Sequence, residues 1–118
     1  MVTHESSLTV LTRLGPDGPT VFVRGEVDLA SAPQLREAAL RALSPGPKAL
    51  CIDLAGVTFM DVCGLQVLLS AQRSASRAGG RLVLARTPPV VDRLLDLTGT
   101  RAVLHGIDAS RDAAPATG

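Results

Sequence analysis

The sequence predicts an α/β domain built on a mixed sheet of four or five strands, with helices mainly on one face. After an opening pair of strand patterns, helix and strand patterns alternate along the chain. This alternation is typical of βαβ units with parallel strands and right-handed crossovers. The predicted strands also carry polar residues at alternate positions, among them Arg24, Asp53 and Arg81. Strands of a sheet covered on both faces are continuously apolar, so the second face should stay partly uncovered.

The first two predicted strands, residues 8–14 and 20–24, should form an antiparallel hairpin. Both segments alternate apolar and polar side chains. The segment between them, residues 15–19, reads Gly-Pro-Asp-Gly-Pro, which is the composition of a tight turn.

A first helix should follow, ending before the Ser-Pro-Gly-Pro segment at residues 44–47. Ser31 and Gln34 have the spacing of a capping box, and Pro33 suits the first turn. The residues predicted to face inward are Leu35, Ala39, Ala42 and Leu43.

The central strand and helix lie within residues 48–80. The strand has large apolar side chains on alternate residues, Leu50, Ile52 and Leu54. Gly56 should end it, a short loop should follow, and Asp61 should be the N-cap of the helix. The helix should turn four side chains inward, Leu65, Leu68, Leu69 and Gln72.

The last third of the chain should add a strand at residues 81–86 and a third helix. Two prolines at residues 88–89 suit the start of that helix, and Gly99 suits its C-cap. A short final strand is predicted at residues 102–105.

Length and composition indicate one domain and exclude several classes of function. The 118 residues fit a single domain at residues 1–106, followed by a mostly disordered tail at residues 107–118. The net charge of +1 and the aromatic content of 2% argue against nucleic-acid or anionic-membrane binding. The sequence shows neither a leader pattern nor an apolar run of about 20 residues, so a cytoplasmic location is expected.

Cys51 and Cys63 are too few for a disulfide framework and lack the spacing of a zinc site, so neither metal nor cofactor is expected. Cys63 falls in the first turn of the central helix, where the helix dipole lowers a thiol pKa and the charge of Asp61 opposes that effect. Three interpretations stay open for it: a small packed residue, a redox-sensing thiol, or a position in a partner interface.

Catalysis by this thiol is not expected. A cysteine phosphatase needs an arginine about six residues further on, where Leu69 stands. A cysteine hydrolase needs a histidine base, and the histidines are His4 and His105, near the two ends of the chain.

Asp28 and Asp61 each follow a predicted strand. The carboxyl ends of parallel strands are where ligands and partners usually bind, although both residues could serve only as caps. Gly64 should leave the helix start open to a docking backbone, because it has no side chain.

Residues 53–69 resemble the signature of the STAS domain of bacterial anti-sigma factor antagonists. The residues in step are Gly56, Val57, Phe59, Asp61, Gly64, Leu65, Leu68 and Leu69. The family motif is Asp, two small hydroxyl residues, Gly and Leu, and a partner kinase phosphorylates the second hydroxyl. Here the motif reads Asp-Val-Cys-Gly-Leu, so the thiol of Cys63 occupies the phospho-acceptor position.

The resemblance implies a STAS (SpoIIAA-like) fold over roughly residues 8–105. It implies a protein partner, an anti-sigma factor of the ATP-binding serine kinase type, which the chain would bind to release a sigma factor. The implied partner-binding residues are Asp28, Asp61, Val62, Cys63, Gly64 and Leu65. With cysteine at the acceptor position, phosphorylation there is not expected to control binding.

The alternative function is a STAS scaffold or regulatory subunit of a multiprotein complex, for example a transport complex. The missing hydroxyl favours this alternative, and the free-standing length of the chain argues against it.

Overall fold

The computed structural model describes residues 7–104. In chain order its elements are β1 (Leu8–Gly15), β2 (Gly18–Val27), α1 (Ala32–Leu43), β3 (Ala49–Met60), α2 (Val62–Arg77), β4 (Arg81–Ala85) and α3 (Pro89–Thr98). None of the helices in this range is long and apolar enough to cross a membrane. The predicted domain boundary at residue 106 and the predicted tail lie outside the described residues.

The strands form one mixed sheet of four strands in the order β1-β2-β3-β4. β1 and β2 are the predicted antiparallel hairpin, which turns at Pro16 and Asp17. β3 pairs in parallel with both β2 and β4. The predicted fold class, a mixed sheet of four or five strands with helices, is confirmed.

The hydrophobic core lies on one face of the sheet. The strand residues buried there include Val21, Val23, Leu50, Ile52, Leu82 and Leu84. α1 and α2 pack side by side, and α3 adds Val91 and Leu95 to the same core. On the other face Thr9 and Arg24 are exposed, as their polar character predicted, and Leu11 is exposed as well. Asp53 on the same face is buried and paired with Arg86 at 2.9 Å.

β3 is longer than predicted, and the expectation that Gly56 ends it is wrong. The strand continues to Met60 because β2 runs beside it as far as Val27, with two irregularities in register. Gly56 lies opposite Arg24, and a Cβ added at position 56 would stand 3.1 Å from the Cβ of Arg24. Glycine here allows the two strands to approach closely.

α1 begins where predicted, but the capping box is absent. The buried Ser31 hydroxyl lies 2.7 Å from the carbonyl oxygen of Glu26 and accepts from the backbone N–H of Asp28 at 3.0 Å. The Gln34 side chain instead donates to the carbonyl oxygen of Leu8 at 3.1 Å. The hydroxyl is committed to the β2–α1 loop because a buried polar group needs partners there.

The predicted final strand at residues 102–105 is wrong over its described part, because residues 101–104 are helical. Gly99 ends α3 in the left-handed conformation, as predicted, with φ 72°. The backbone N–H of Leu104 then donates to the carbonyl oxygen of Thr100 at 3.1 Å. One helical turn is enough to bury the Leu104 side chain in the core, so the described sheet ends at β4.

The inward face of α2 is slightly different from the predicted one. The buried residues are Gly64, Leu65, Val67, Leu68, Ala71 and Ala75. Leu69 and Gln72 are only half-buried, and Val67 is buried instead. The difference arises because α2 packs against α1 as well as against the sheet, which moves the buried stripe.

Leu68→Ala should lower the free energy of unfolding by about 2–5 kcal/mol, because the fully buried side chain would leave a cavity. Urea unfolding measures this loss. The matched control is Leu97→Ala on α3, whose side chain is exposed, and it should change stability by less than about 0.5 kcal/mol. Equal effects of the two substitutions would contradict the packing of α2.

Candidate functional site

The candidate site forms where two neighbouring parallel strands end and two helices begin. Val27 at the end of β2 pairs with Met60 at the end of β3. The backbone N–H of Asp61 donates to the carbonyl oxygen of Val27 at 3.2 Å, which ties the two strand ends together. Asp28 and Asp61 therefore leave the same edge of the sheet, as their positions after the strands predicted.

The loop that holds Asp28 is closed by its own hydrogen bonds. The Oδ1 of Asp28 accepts from the backbone N–H groups of Ala30 and Ser31 at 3.0 and 3.1 Å. This arrangement is an Asx turn, and it fixes the entry to α1. Because the loop is pinned on both sides of it, the Leu29 side chain projects into solvent and is 77% exposed.

Asp61 is the N-cap of α2, as predicted. Its Oδ1 accepts from the backbone N–H of Cys63 at 2.8 Å, and its carbonyl oxygen accepts from the N–H groups of Gly64 and Leu65, each at 3.1 Å. The cap satisfies an N–H that has no partner within the helix. It is the backbone of residue 63, and not its side chain, that this bond holds.

Gly64 is required by the interior rather than by the surface. A Cβ added there would stand 2.7 Å from Cγ of Met60 and 2.7 Å from Cγ1 of Val27. The first turn of α2 therefore lies directly on the ends of β2 and β3. The expectation that Gly64 keeps the surface open to a docking backbone is replaced by this packing reason, because the residue is buried.

The predicted partner-binding residues divide into two groups. Four of them reach solvent, and we call these four residues, Asp28, Asp61, Val62 and Cys63, the helix-start surface. Val62 is the most open of them, at 55% exposed. Gly64 and Leu65 are buried and support the helix start from below.

The Cys63 thiol is a weak acid in this setting. Partial burial, the negative charge of the Asp61 carboxylate with a hydrogen bond to it, and the charge of Asp28 all raise the pKa of the Cys63 thiol. All of these effects oppose the lowering expected from the helix dipole. A raised pKa favours the protonated thiol, which weakens the interpretation of Cys63 as a redox sensor, since the thiolate is the reactive form.

A groove between α1 and α2 continues from Cys63, and the sequence did not reveal it. We call it the interhelical groove. Its lining residues are Leu29, Ala32, Pro33, Arg36, Cys63, Gln66, Val67, Leu69, Ser70 and Arg73. Leu29 could have been noticed, since it is a large apolar residue in a short loop between Asp28 and a helix start. In residues 7–104, no group of three or more His, Cys, Asp or Glu side chains could hold a metal ion.

Comparison with known proteins agrees with this architecture. The family model described as "Mlab, STAS domain" matches residues 10–105. The chain therefore belongs to the STAS domain family. Among curated relatives, the anti-sigma-B factor antagonist of Bacillus subtilis (strain 168) is 34% identical over 84 residues, which cover 71% of this chain and 76% of that protein. The anti-sigma-B factor antagonist of Staphylococcus epidermidis is 26% identical over 99 residues, covering 84% and 92%.

Solved structures agree with this assignment. The crystal structure of an anti-sigma factor antagonist from Mycobacterium paratuberculosis has a TM-score of 0.76 and 28% identity, and the match covers 87% of each chain. The anti-sigma factor antagonist SpoIIAA in its unphosphorylated form has a TM-score of 0.64 and 22% identity over 77% of this chain and 81% of that one, which supports the fold. The resemblance seen in the sequence is confirmed.

The ionisation of Cys63 can be followed by its rate of alkylation against pH in a Cys51→Ser background, where it is the only thiol. The midpoint should lie above that of free cysteine, because burial and the Asp61 carboxylate disfavour the thiolate. Asp61→Asn should lower the midpoint, since the amide oxygen can still cap the helix while the charge is gone. A wild-type midpoint below that of free cysteine would mean that the helix dipole dominates.

Proposed function

We propose that this chain is an anti-sigma factor antagonist that binds an anti-sigma factor of the ATP-binding serine kinase type and so releases a sigma factor. The observation that supports the proposal is the helix-start surface, at which Asp61 caps α2. The chain that bears it is related to proteins named anti-sigma-B factor antagonists. The protein acts by binding and not as an enzyme. It does so in the cytoplasm, without a cofactor, a nucleic acid or a membrane.

The chemistry of the helix-start surface suits a protein partner. Two carboxylates, Asp28 and Asp61, lie beside the exposed apolar side chains of Leu29 and Val62. Apolar contact area beside charged groups is typical of protein interfaces, where the charges set partner choice and association rate. A basic group on the anti-sigma factor would complement the two carboxylates.

Cys63 at the acceptor position removes the usual control of such a complex. A phosphoryl group would add a charge of about −1.5 to −2 beside Asp28 and Asp61, and the resulting repulsion would release the partner. A thiol is not a normal substrate of a serine kinase, so the complex persists in the presence of ATP. Control then falls to expression, proteolysis or thiol oxidation, and the raised pKa of Cys63 disfavours the last of these, because the thiolate is the form that is oxidised.

The alternative function is a STAS subunit of a multiprotein complex, and the thiol at the acceptor position favours it, because a scaffold needs no acceptor. The two functions differ in the partner. A scaffold would bind none of the ATP-binding anti-sigma kinases of its own organism, whereas an antagonist binds at least one.

Asp61→Lys should abolish binding to the anti-sigma kinase that wild type binds, because the new ammonium group cancels the negative charge of the helix-start surface and repels a basic group of the partner. Each ATP-binding anti-sigma kinase of the organism is purified, loaded with an ATP analogue and titrated with the variant in a calorimeter. The far-UV circular dichroism should stay nearly unchanged, since loss of the cap and the reversed charge each cost about 1 kcal/mol.

Two further variants are matched controls for Asp61→Lys. Asp17→Lys makes the same charge reversal at the exposed hairpin turn and should leave the affinity within about twofold of wild type. Asp61→Asn removes the charge but keeps a capping oxygen, so it separates charge from helix stability. Unchanged affinity of Asp61→Lys would show that the interface lies elsewhere.

Cys63→Ser should restore phosphorylation control. The hydroxyl is slightly smaller than the thiol, and the backbone N–H of residue 63 stays bound to Asp61. The carboxylate beside the hydroxyl can also take up its proton during transfer. With kinase and ATP, mass spectrometry should show one added phosphoryl group on Cys63→Ser, and this form should release the kinase, whereas wild type gains none.

Cys63→Ala is the control and should stay unmodified and bound. Two outcomes contradict the proposed role of position 63. Wild type modified as fast as Cys63→Ser would place the acceptor at another hydroxyl, such as Thr58 or Ser70. A serine variant that binds but is never modified would mean that more than the hydroxyl has been lost.

A further inference from the structure

The geometry points to a second contact region for the anti-sigma factor. We infer that the interhelical groove binds an amphipathic helix of that partner, with its apolar stripe on the groove floor and acidic side chains over Arg36 and Arg73. This inference rests on the proposed function and names the partner segment that the helix-start surface alone does not specify.

The floor of the groove and the part of its rim near the β2–α1 loop are apolar. Leu29 and Pro33 come from the β2–α1 loop and the start of α1, and Leu69 comes from α2. Leu29 and Pro33 are exposed and Leu69 is half-buried, while Val67 beneath them belongs to the core. A trough between two packed helices, with an apolar floor, fits the apolar face of a third helix.

The groove is also cationic. Arg36 on α1 and Arg73 on α2 line it from opposite sides, and both are exposed. Within residues 7–104 neither guanidinium has an ion-pair partner. α2 contains no acidic residue, and the only one on α1, Glu37, is paired with Arg41 at 2.8 Å.

An acidic partner segment follows from this charge pattern. Ser70 and the neighbouring Gln66 supply only neutral polar groups to the groove, so nothing from α2 offsets the guanidinium charges. Arginine is well suited to carboxylates, which it can bind with two parallel hydrogen bonds.

The groove is continuous with the helix-start surface. Cys63 lines the end of the groove nearest to Asp61 and belongs to both regions. One partner can therefore present a basic group to Asp28 and Asp61 and an acidic helix to Arg36 and Arg73. This dipolar pattern would fix the orientation of the bound partner, because a reversed complex would place like charges together.

The test compares two double variants with the same change of net charge. Arg36→Glu/Arg73→Glu reverses the groove, and Arg13→Glu/Arg93→Glu reverses two exposed arginines on β1 and α3. Affinity for the kinase that wild type binds is measured by calorimetry at low and high salt. At low salt the Arg36→Glu/Arg73→Glu variant, the groove double, should bind at least about tenfold more weakly than wild type. The Arg13→Glu/Arg93→Glu variant, the control double, should bind less than about threefold more weakly.

Cross-linking identifies the segment that occupies the groove. Ser70→Cys in a Cys51→Ser/Cys63→Ala background carries a single thiol, which is labelled with a benzophenone maleimide. After irradiation of the complex, mass spectrometry should find the label on a helical kinase segment rich in Asp and Glu. Reversing those acidic residues to Lys should restore binding to the groove double.

Four outcomes would overturn the inference. Two of them concern affinity: an equal loss of affinity in both double variants, or no loss in Arg36→Glu/Arg73→Glu. The other two concern the cross-link: a cross-link to a segment without acidic residues, or to a second copy of this chain. If Asp61→Lys abolishes binding while the groove double does not change it, the proposed function stands and only this inference fails. If wild type binds no anti-sigma kinase, both fail together.

Discussion

The close contact between the first turn of α2 and the ends of β2 and β3 governs the rest of the site. Only a hydrogen fits between the backbone at Gly64 and the side chains of Val27 and Met60, since a Cβ would stand 2.7 Å from each. The interior therefore fixes the direction of α2, and Asp61 then caps the helix at the sheet edge. Because Gly64, Val27 and Met60 lie below the surface, the side chains at positions 62 and 63 can vary without moving the backbone.

Local sequence patterns predicted most of the fold, and the predictions that were wrong depend on contacts between distant residues. The positions of the hairpin, the three helices and the buried faces of β3 and β4 follow from periodicity and from turn and cap residues. Glycine is disfavoured within strands, but pairing with β2 keeps Gly56 within β3. Ser31 has the spacing of a capping box, yet its burial beside Glu26 commits the hydroxyl elsewhere. Neither contact is visible in a short stretch of sequence.

The candidate site was predictable only where topology alone brings residues together. Asp28 and Asp61 meet because each follows a parallel strand, and that can be deduced from the order of the elements. The interhelical groove depends on how α1 and α2 are rotated about their axes, so Arg36 and Arg73 could not be paired in advance. The pKa of Cys63 likewise depended on distances, because the helix dipole and the carboxylates act in opposite directions.

The cap on residue 63 has a consequence for how such proteins can evolve. Asp61 holds the backbone N–H of this residue, so the helix start tolerates either sulfur or oxygen on the side chain. Cysteine and serine codons can differ by a single base. Under the proposed function, one point mutation would therefore convert an antagonist that stays bound into one that phosphorylation releases, or the reverse, without a change in the fold. Under the same proposal, two related chains that differ only at this position would form complexes of different lifetime with the same partner.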